Sequence, residues 1–124
     1  MGKFVIKDAK GGVKFNLVAG NGEIIAVSEI YNSKASCKNG IESVIKNAES
    51  VIEDQTVEGY TQEKNPKWEI YKDKAGEFRF RLKAGNGEII VTGEGYKSKS
   101  GCKNGIDSIR RNAPTADIKD TTEA

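Results

Sequence analysis

Histidine is absent from the 124 residues. That excludes Ser-His-Asp and Cys-His nucleophile systems, histidine metal ligation and imidazole pH switching. Cysteine occurs twice, too few for a closed zinc site. Tryptophan occurs once and proline twice, and aromatic residues make up 7%. The core must therefore be built economically. No window approaches the ~18 apolar residues of a membrane span. The opening Met-Gly-Lys-Phe-Val-Ile-Lys-Asp lacks the apolar stretch of a signal peptide. These features predict a cytoplasmic protein without membrane contact. With 20 basic and 18 acidic residues the net charge is +2, too balanced for bulk electrostatic binding to nucleic acid or lipid.

What the chain does have is a repeat. Gly11 to Ala48 matches Gly76 to Ala113 at a constant offset of 65, with 22 of 38 positions identical. Ala19-Gly-Asn-Gly-Glu-Ile-Ile25 recurs as Ala84 to Ile90, and Cys37-Lys-Asn-Gly-Ile41 recurs as Cys102 to Ile106. Phe4 and Trp68 align at an offset of 64, so the second copy carries one extra residue in or just after its first strand.

Phe78, Phe80 and Leu82 alternate with Arg79, Arg81 and Lys83, the period of a strand with one face buried. Val13, Phe15 and Leu17 do the same in the first copy. Asn21-Gly22 and Asn86-Gly87 predict two-residue type I′ hairpin turns. In that register Ile89 and Val91 join the core face, while Ile90 and Thr92 point outward. Earlier strands are read at Lys3 to Lys7 and Lys67 to Lys72. Cys37, Ile41, Val44 and Ala48 then form a helical stripe, repeated by Cys102, Ile106, Ile109 and Ala113. Ser33 and Ser98 are the expected N-caps. Gly40 and Gly105 inside these helices imply a close approach of helix and sheet backbones, since each costs about 1 kcal/mol against Ala. A last strand follows each helix, at Val51 to Val57 and Ala116 to Thr121. Repeat 1 spans residues 3–58 and repeat 2 spans 67–121. The predicted fold is α+β: two tandem β3-α-β repeats pairing into one antiparallel sheet, with both helices on one face.

The Phe-Arg-Phe-Arg-Leu-Lys-Ala-Gly-Asn-Gly-Glu-Ile-Ile strand pair, Tyr-Lys-Ser-Lys and Cys-Lys-Asn-Gly-Ile-(Glu/Asp)-Ser resemble the YegP-like family of small bacterial proteins with one or two such repeats. The resemblance covers both repeats. It implies that the C-terminal strands are exchanged between repeats, and it carries over no catalytic residues. No metal motif emerges from the residues themselves, and no cofactor is expected.

Ser100-Gly-Cys-Lys103 has the Ser-x-x-Lys spacing of serine acyl-enzymes. Copy one has Ala35 in place of Ser100, and the companion motifs are missing, so chance is the better explanation. Cys37 and Cys102 lie on the core stripe and read as buried, reduced hydrophobes. Glu29 and Glu94 are expected to pair across strands with Lys14 and Arg79.

Residues 1–65 sum to −1 and residues 66–124 to +3, and all four arginines lie in the second half. Arg79, Arg81 and Lys83 are expected on the outer sheet face, where basic and aromatic side chains can hold single-stranded nucleic acid. Val18, Ile25 and Val27 are expected outward in copy one, as an apolar patch for a protein partner. A non-enzymatic binding or interaction module is the favoured reading, with weak single-stranded nucleic-acid binding as the alternative. A repeat supplied in the same chain should pair internally and leave a monomer.

Overall fold

The computed structural model describes residues 2–122. The alternating segments of copy one form β1 (Lys3–Ala9), β2 (Gly12–Val18) and β3 (Ile24–Ser28). Helix α1 (Lys34–Asn47) and the short strand β4 (Ile52–Asp54) follow. Copy two repeats them as β5 (Lys67–Lys72), β6 (Phe78–Lys83), β7 (Ile89–Thr92), α2 (Lys99–Asn112) and β8 (Asp117–Asp120). A 3-10 turn (Ala113–Thr115) with Pro114 in it precedes β8.

The eight strands form one sheet in the order β4-β5-β6-β7-β3-β2-β1-β8. The copies join where β3 meets β7 antiparallel, with Val27 opposite Thr92. The final strands are exchanged: β4 lies beside β5, and β8 beside β1. Both exchanged strands pair in parallel, so the sheet is mixed where the sequence predicts it antiparallel throughout. Tight turns impose antiparallel pairing, whereas a helical crossover leaves the direction open.

Both helices cover one face, and each spans the junction: α1 meets β2 and β7, and α2 meets β6 and β3. The buried stripes of both copies merge into one core. It includes Phe4, Phe15, Leu17, Ile41 and Val44 with Trp68, Phe80, Leu82, Ile106 and Ile109.

The Asn-Gly loops depart from the predicted turn. Asn21 and Asn86 keep negative φ, and only Gly22 (89°) and Gly87 (85°) enter the left-handed region. Gly22 N–H donates to Ala19 O and Gly87 N–H to Ala84 O, each at 2.9 Å. The asparagine Oδ1 atoms accept from the N–H of Glu23 and Glu88 at 3.0 Å, a local bond that stabilises the three-residue loop. The longer loop forces a bulge, between Leu17 and Val18 in one copy and between Leu82 and Lys83 in the other. Ile24 therefore pairs with Val18, and Ile89 with Lys83. Ile25 packs against the core instead of facing outward, and Ile24, 52% exposed, takes its outer position. Ile90, also expected outward, is only 4% exposed.

The extra residue of copy two lies in its first turn. Ala9 pairs with Gly12 in copy one, whereas in copy two Asp73 N–H donates to Glu77 O across a longer loop. The strands beyond keep equivalent register, with Phe4 opposite Leu17 and Trp68 opposite Leu82.

Ser33 Oγ accepts from Ser36 N–H at 3.1 Å and Ser98 Oγ from Gly101 N–H at 3.0 Å, as the caps predict. The interior glycines face tyrosines and phenylalanines rather than sheet backbone. A Cβ at Gly40 would collide with the Tyr31 hydroxyl and ring and come within 3.1 Å of Phe15; at Gly105 it would lie 2.5 Å from Tyr96 Oη. Each tyrosine is wedged under its helix, with its ring stacked on a phenylalanine at 6.2 Å. Gly40→Ala should therefore destabilise the protein. Overpacking costs about 1–3 kcal/mol, against a helix-propensity gain of about 1 kcal/mol. In a Tyr31→Ala background the same change should stabilise, as read from urea midpoints.

Candidate functional site

With both helices on one side, the other face of the sheet is free of helices. Its central row crosses all eight strands: Glu53, Glu69, Arg81, Thr92, Val27, Asn16, Val5 and Lys119. The junction between copies falls between Thr92 and Val27. The two halves of this row have different chemistry.

The copy-two half carries a closed ionic network. Arg79, Arg81 and Lys83 lie on the outer face, as their alternation requires. Arg79 Nε pairs with Asp73 Oδ2 at 2.6 Å, where the sequence suggested Glu94. Arg81 Nε pairs with Glu69 Oε1 at 2.5 Å, and Lys83 Nζ lies 3.6 Å from the same oxygen. The Arg81 guanidinium also sits 4.3 Å from the centre of the Tyr71 ring.

Beneath them, Lys67 Nζ bridges Glu53 (2.7 Å) and Glu69 (3.2 Å), and all three side chains are at most 5% exposed. The linker between the copies closes this end of the network. Glu63 N–H donates to Glu53 Oε1 at 2.7 Å, and Lys67 Nζ donates to Glu63 O at 3.1 Å. Gln55 Nε2 adds a bond to Glu53 Oε2 at 2.6 Å. Burial pushes the Glu53 carboxyl upward, but these donors outweigh it and hold it down at about 2. Burial likewise opposes the charge on Lys67, and its two carboxylate partners outweigh that effect and raise it above the ordinary lysine value.

The copy-one half carries no such ionic network among the described residues. Repeat equivalence puts Lys119 where Glu53 stands, Lys3 for Lys67, Val5 for Glu69 and Asn16 for Arg81. Asn16 is only 6% exposed, flanked in its row by Val5 and Val27. Its Oδ1 is buried and accepts no hydrogen bond among the described residues. Val18 and Ile24 continue the apolar patch. Lys3, Lys7, Lys14 and Lys119 share this face by register, with Asp117 as its strand acid. None of these four lysines has an ion pair among the described residues.

Sequence reasoning placed the basic surface in copy two, where every cation it named is paired. It missed the copy-one lysines because they are spread over three strands. Asn16 gave one faint signal: a polar residue aligned with Arg81 but flanked by valines only after the strands pair.

Elsewhere the structure offers less chemistry. Ser100 and Lys103 are both exposed on α2. Cys37 and Cys102 are fully buried and unbonded to each other. Burial raises both thiols, Cys102 to about 11. A native-state thiol titration should therefore be slow, with two thiols per chain reacting promptly in denaturant. Fast native labelling of both would contradict this burial. The shallow cleft between α1 and the copy-two hairpin gathers Tyr31, Asn39, Ser43, Asn86 and Glu88. The Asn86 carbonyl is already committed to its own loop.

Exchanged β3-α-β units with one helix layer define a tandem-repeat, two-layer α+β protein. The family described as "Domain of unknown function (DUF1508)" matches residues 8–54 and 73–120, and the chain belongs to that family. It is 45% identical to the UPF0339 protein YegP of Yersinia pestis, over 98% of this chain and 97% of that one. A UPF0339 protein of Treponema denticola is 65% identical over 52 residues, 42% of this chain but 90% of the relative, a match about one repeat long. The solution NMR structure of the protein of unknown function yegP from E. coli superposes with a TM-score of 0.79 at 32% identity, covering 99% of this chain and 95% of that one. Among the described residues no helix is long and apolar enough to cross a membrane.

Proposed function

We propose that this chain is a non-enzymatic, cytoplasmic binding module, monomeric through internal repeat pairing, that recognises a partner protein on the helix-free face of its sheet. The observation that carries this reading is the buried Asn16 carbonyl, without a hydrogen bond among the described residues, in the middle of an apolar strip. Leaving such an acceptor unpaired costs about 1–3 kcal/mol, a cost that a donor from a partner would offset. Neither of the two most shifted buried groups is offered as a catalytic acid or base. Glu53 at about 2 and Cys102 at about 11 are far from the near-neutral values that suit proton transfer.

Photo-crosslinking tests the reading. A benzophenone side chain at Val27 should trap a discrete partner in native lysate, and one at Ile45 on the helix side should not. Equal trapping at both sites, or at neither, would count against it. Sedimentation at low micromolar concentration should give a species near 13.5 kDa.

Single-stranded nucleic acid is the second reading, supported by the stacking of Arg81 on Tyr71. Against it, Glu69 and Asp73 already hold Arg81, Lys83 and Arg79. Salt-sensitive binding of an oligothymidylate that is abolished by Arg81→Ala would favour this reading.

A further inference from the structure

We propose that the copy-one half of the open face binds an acidic, extended segment of a partner protein, laid over Val5, Asn16 and Val27 between lysines. This rests on the binding-module reading above and specifies its partner.

The chain shows how its other half holds a segment. At the copy-two end, the linker backbone is gripped at both polar groups of one residue: the Glu63 N–H by Glu53, and the Glu63 carbonyl by Lys67. The described linker residues around that contact form neither helix nor strand. On the equivalent copy-one ground, no hydrogen bond or ion pair among the described residues engages the Lys3 or Lys119 side chains or Asn16 Oδ1.

The substitutions between the halves define what would fit. Lys119 stands for Glu53, so the anion of the copy-two network becomes a cation. Lys3, Lys7, Lys14 and Lys119 oppose only Asp117 on the strands of this half. Carboxylates on the segment would answer the lysines, which are spread around the patch rather than gathered at one point. Val5, Val18, Val27 and Ile24 would take apolar side chains between those carboxylates. Asn16 Oδ1 accepts only, so it selects a donor, which a backbone N–H of an extended segment supplies. The strands of this half present no aromatic ring outward, which removes the stacking that single-stranded nucleic acid needs.

A random twelve-residue peptide display library panned on the immobilised full chain at low salt tests this. Enriched peptides should be rich in Asp and Glu interspersed with β-branched residues. A synthesised winner, titrated into isotope-labelled protein, should shift the amides of Val5, Asn16, Val18 and Val27. Lys14→Glu with Lys119→Glu should weaken it at least tenfold, and Lys74→Glu, in a distant turn, should not. Asn16→Val should weaken binding about tenfold while raising the urea midpoint, a combination a merely structural asparagine would not give.

Winners that shift this face without acidic enrichment, or that bind Asn16→Val as tightly as the parent, would overturn the acidic-segment proposal and leave the module reading standing. Winners that shift no outer-face amide would overturn both. A twelve-residue oligothymidylate that produces these shifts more tightly than the peptide would also overturn both.

Discussion

Lys67→Met is expected to destabilise the protein by about 3–5 kcal/mol, the cost of breaking a buried ion pair from one side. Lys67 is the only cation in direct contact with Glu53 among the described residues, and it also neutralises Glu69. Without it, the Glu53 carboxyl at 1% side-chain exposure keeps the Gln55 and Glu63 donors alone, so it must either hold an uncompensated buried charge or take up a proton. Glu69 retains Arg81 and Lys83, so the larger part of the loss arises at Glu53. Adding Glu53→Gln should recover much of it, because the unpaired charge is then removed. Urea unfolding at neutral pH measures both variants. A Lys67→Met loss below about 1 kcal/mol, the range of an exposed pair, would mean that water reaches the network.

The same network sets an acid response. The Glu53 carboxyl is held at about 2 in the folded protein against an ordinary 4.5. Its folded value is depressed, so its contribution is fully present above 4.5 and is lost as pH falls from there toward 2. Lys67 is raised, so its contribution is present below the ordinary lysine value and is lost only above it. Stability should therefore fall on the acid side below pH 4.5, and Glu53→Gln should flatten that limb.

Trp68→Ala is expected to cost about 3–5 kcal/mol, as for other large aromatic truncations in a core. Trp68 is fully buried on β5 and meets the Phe80 ring edge-on at 5.5 Å. Its indole N–H donates to Ala48 O at 2.8 Å, at the C-terminus of α1. It therefore ties a copy-two strand to the copy-one helix. Trp68→Phe separates the bond from the bulk, and it places at this site the residue that Phe4 supplies in the other copy. Arg110 Nε also donates to Ala48 O, at 2.9 Å, so that carbonyl stays satisfied when the indole is lost. The cost of Trp68→Phe should then stay near 1–2 kcal/mol. A cost as large as that of Trp68→Ala would show that the indole bond, not the ring volume, anchors the helix.

Local order was legible wherever nearest neighbours decide it. The alternation of Phe78, Phe80 and Leu82, the serine caps and the four-three-four stripe through Cys37 and Ile41 each follow from a backbone period and the burial of one face. These patterns determined the repeat, the helices, most of the core and the outward direction of Arg79, Arg81 and Lys83. The tertiary structure decided what depends on residues far apart in the chain. The Asn21 and Asn86 side chains close three-residue loops, and the resulting bulges turned Ile25 and Ile90 inward and Ile24 and Ile89 outward. Arg110, in the last turn of α2, donates to Ala48 and Ser50 at the end of α1. The parallel direction of β4 and β8 was settled by where the exchanged strands dock, beside β5 and β1, because the helical crossovers impose no direction of their own. The contrast between the paired cations of copy two and the lysines around Asn16, which have no ion pair among the described residues, arises only after strand exchange sets Glu53 beside Glu69 and Lys119 beside Val5. Those residues are 16 and 114 positions apart along the chain, so no local pattern could bring them together.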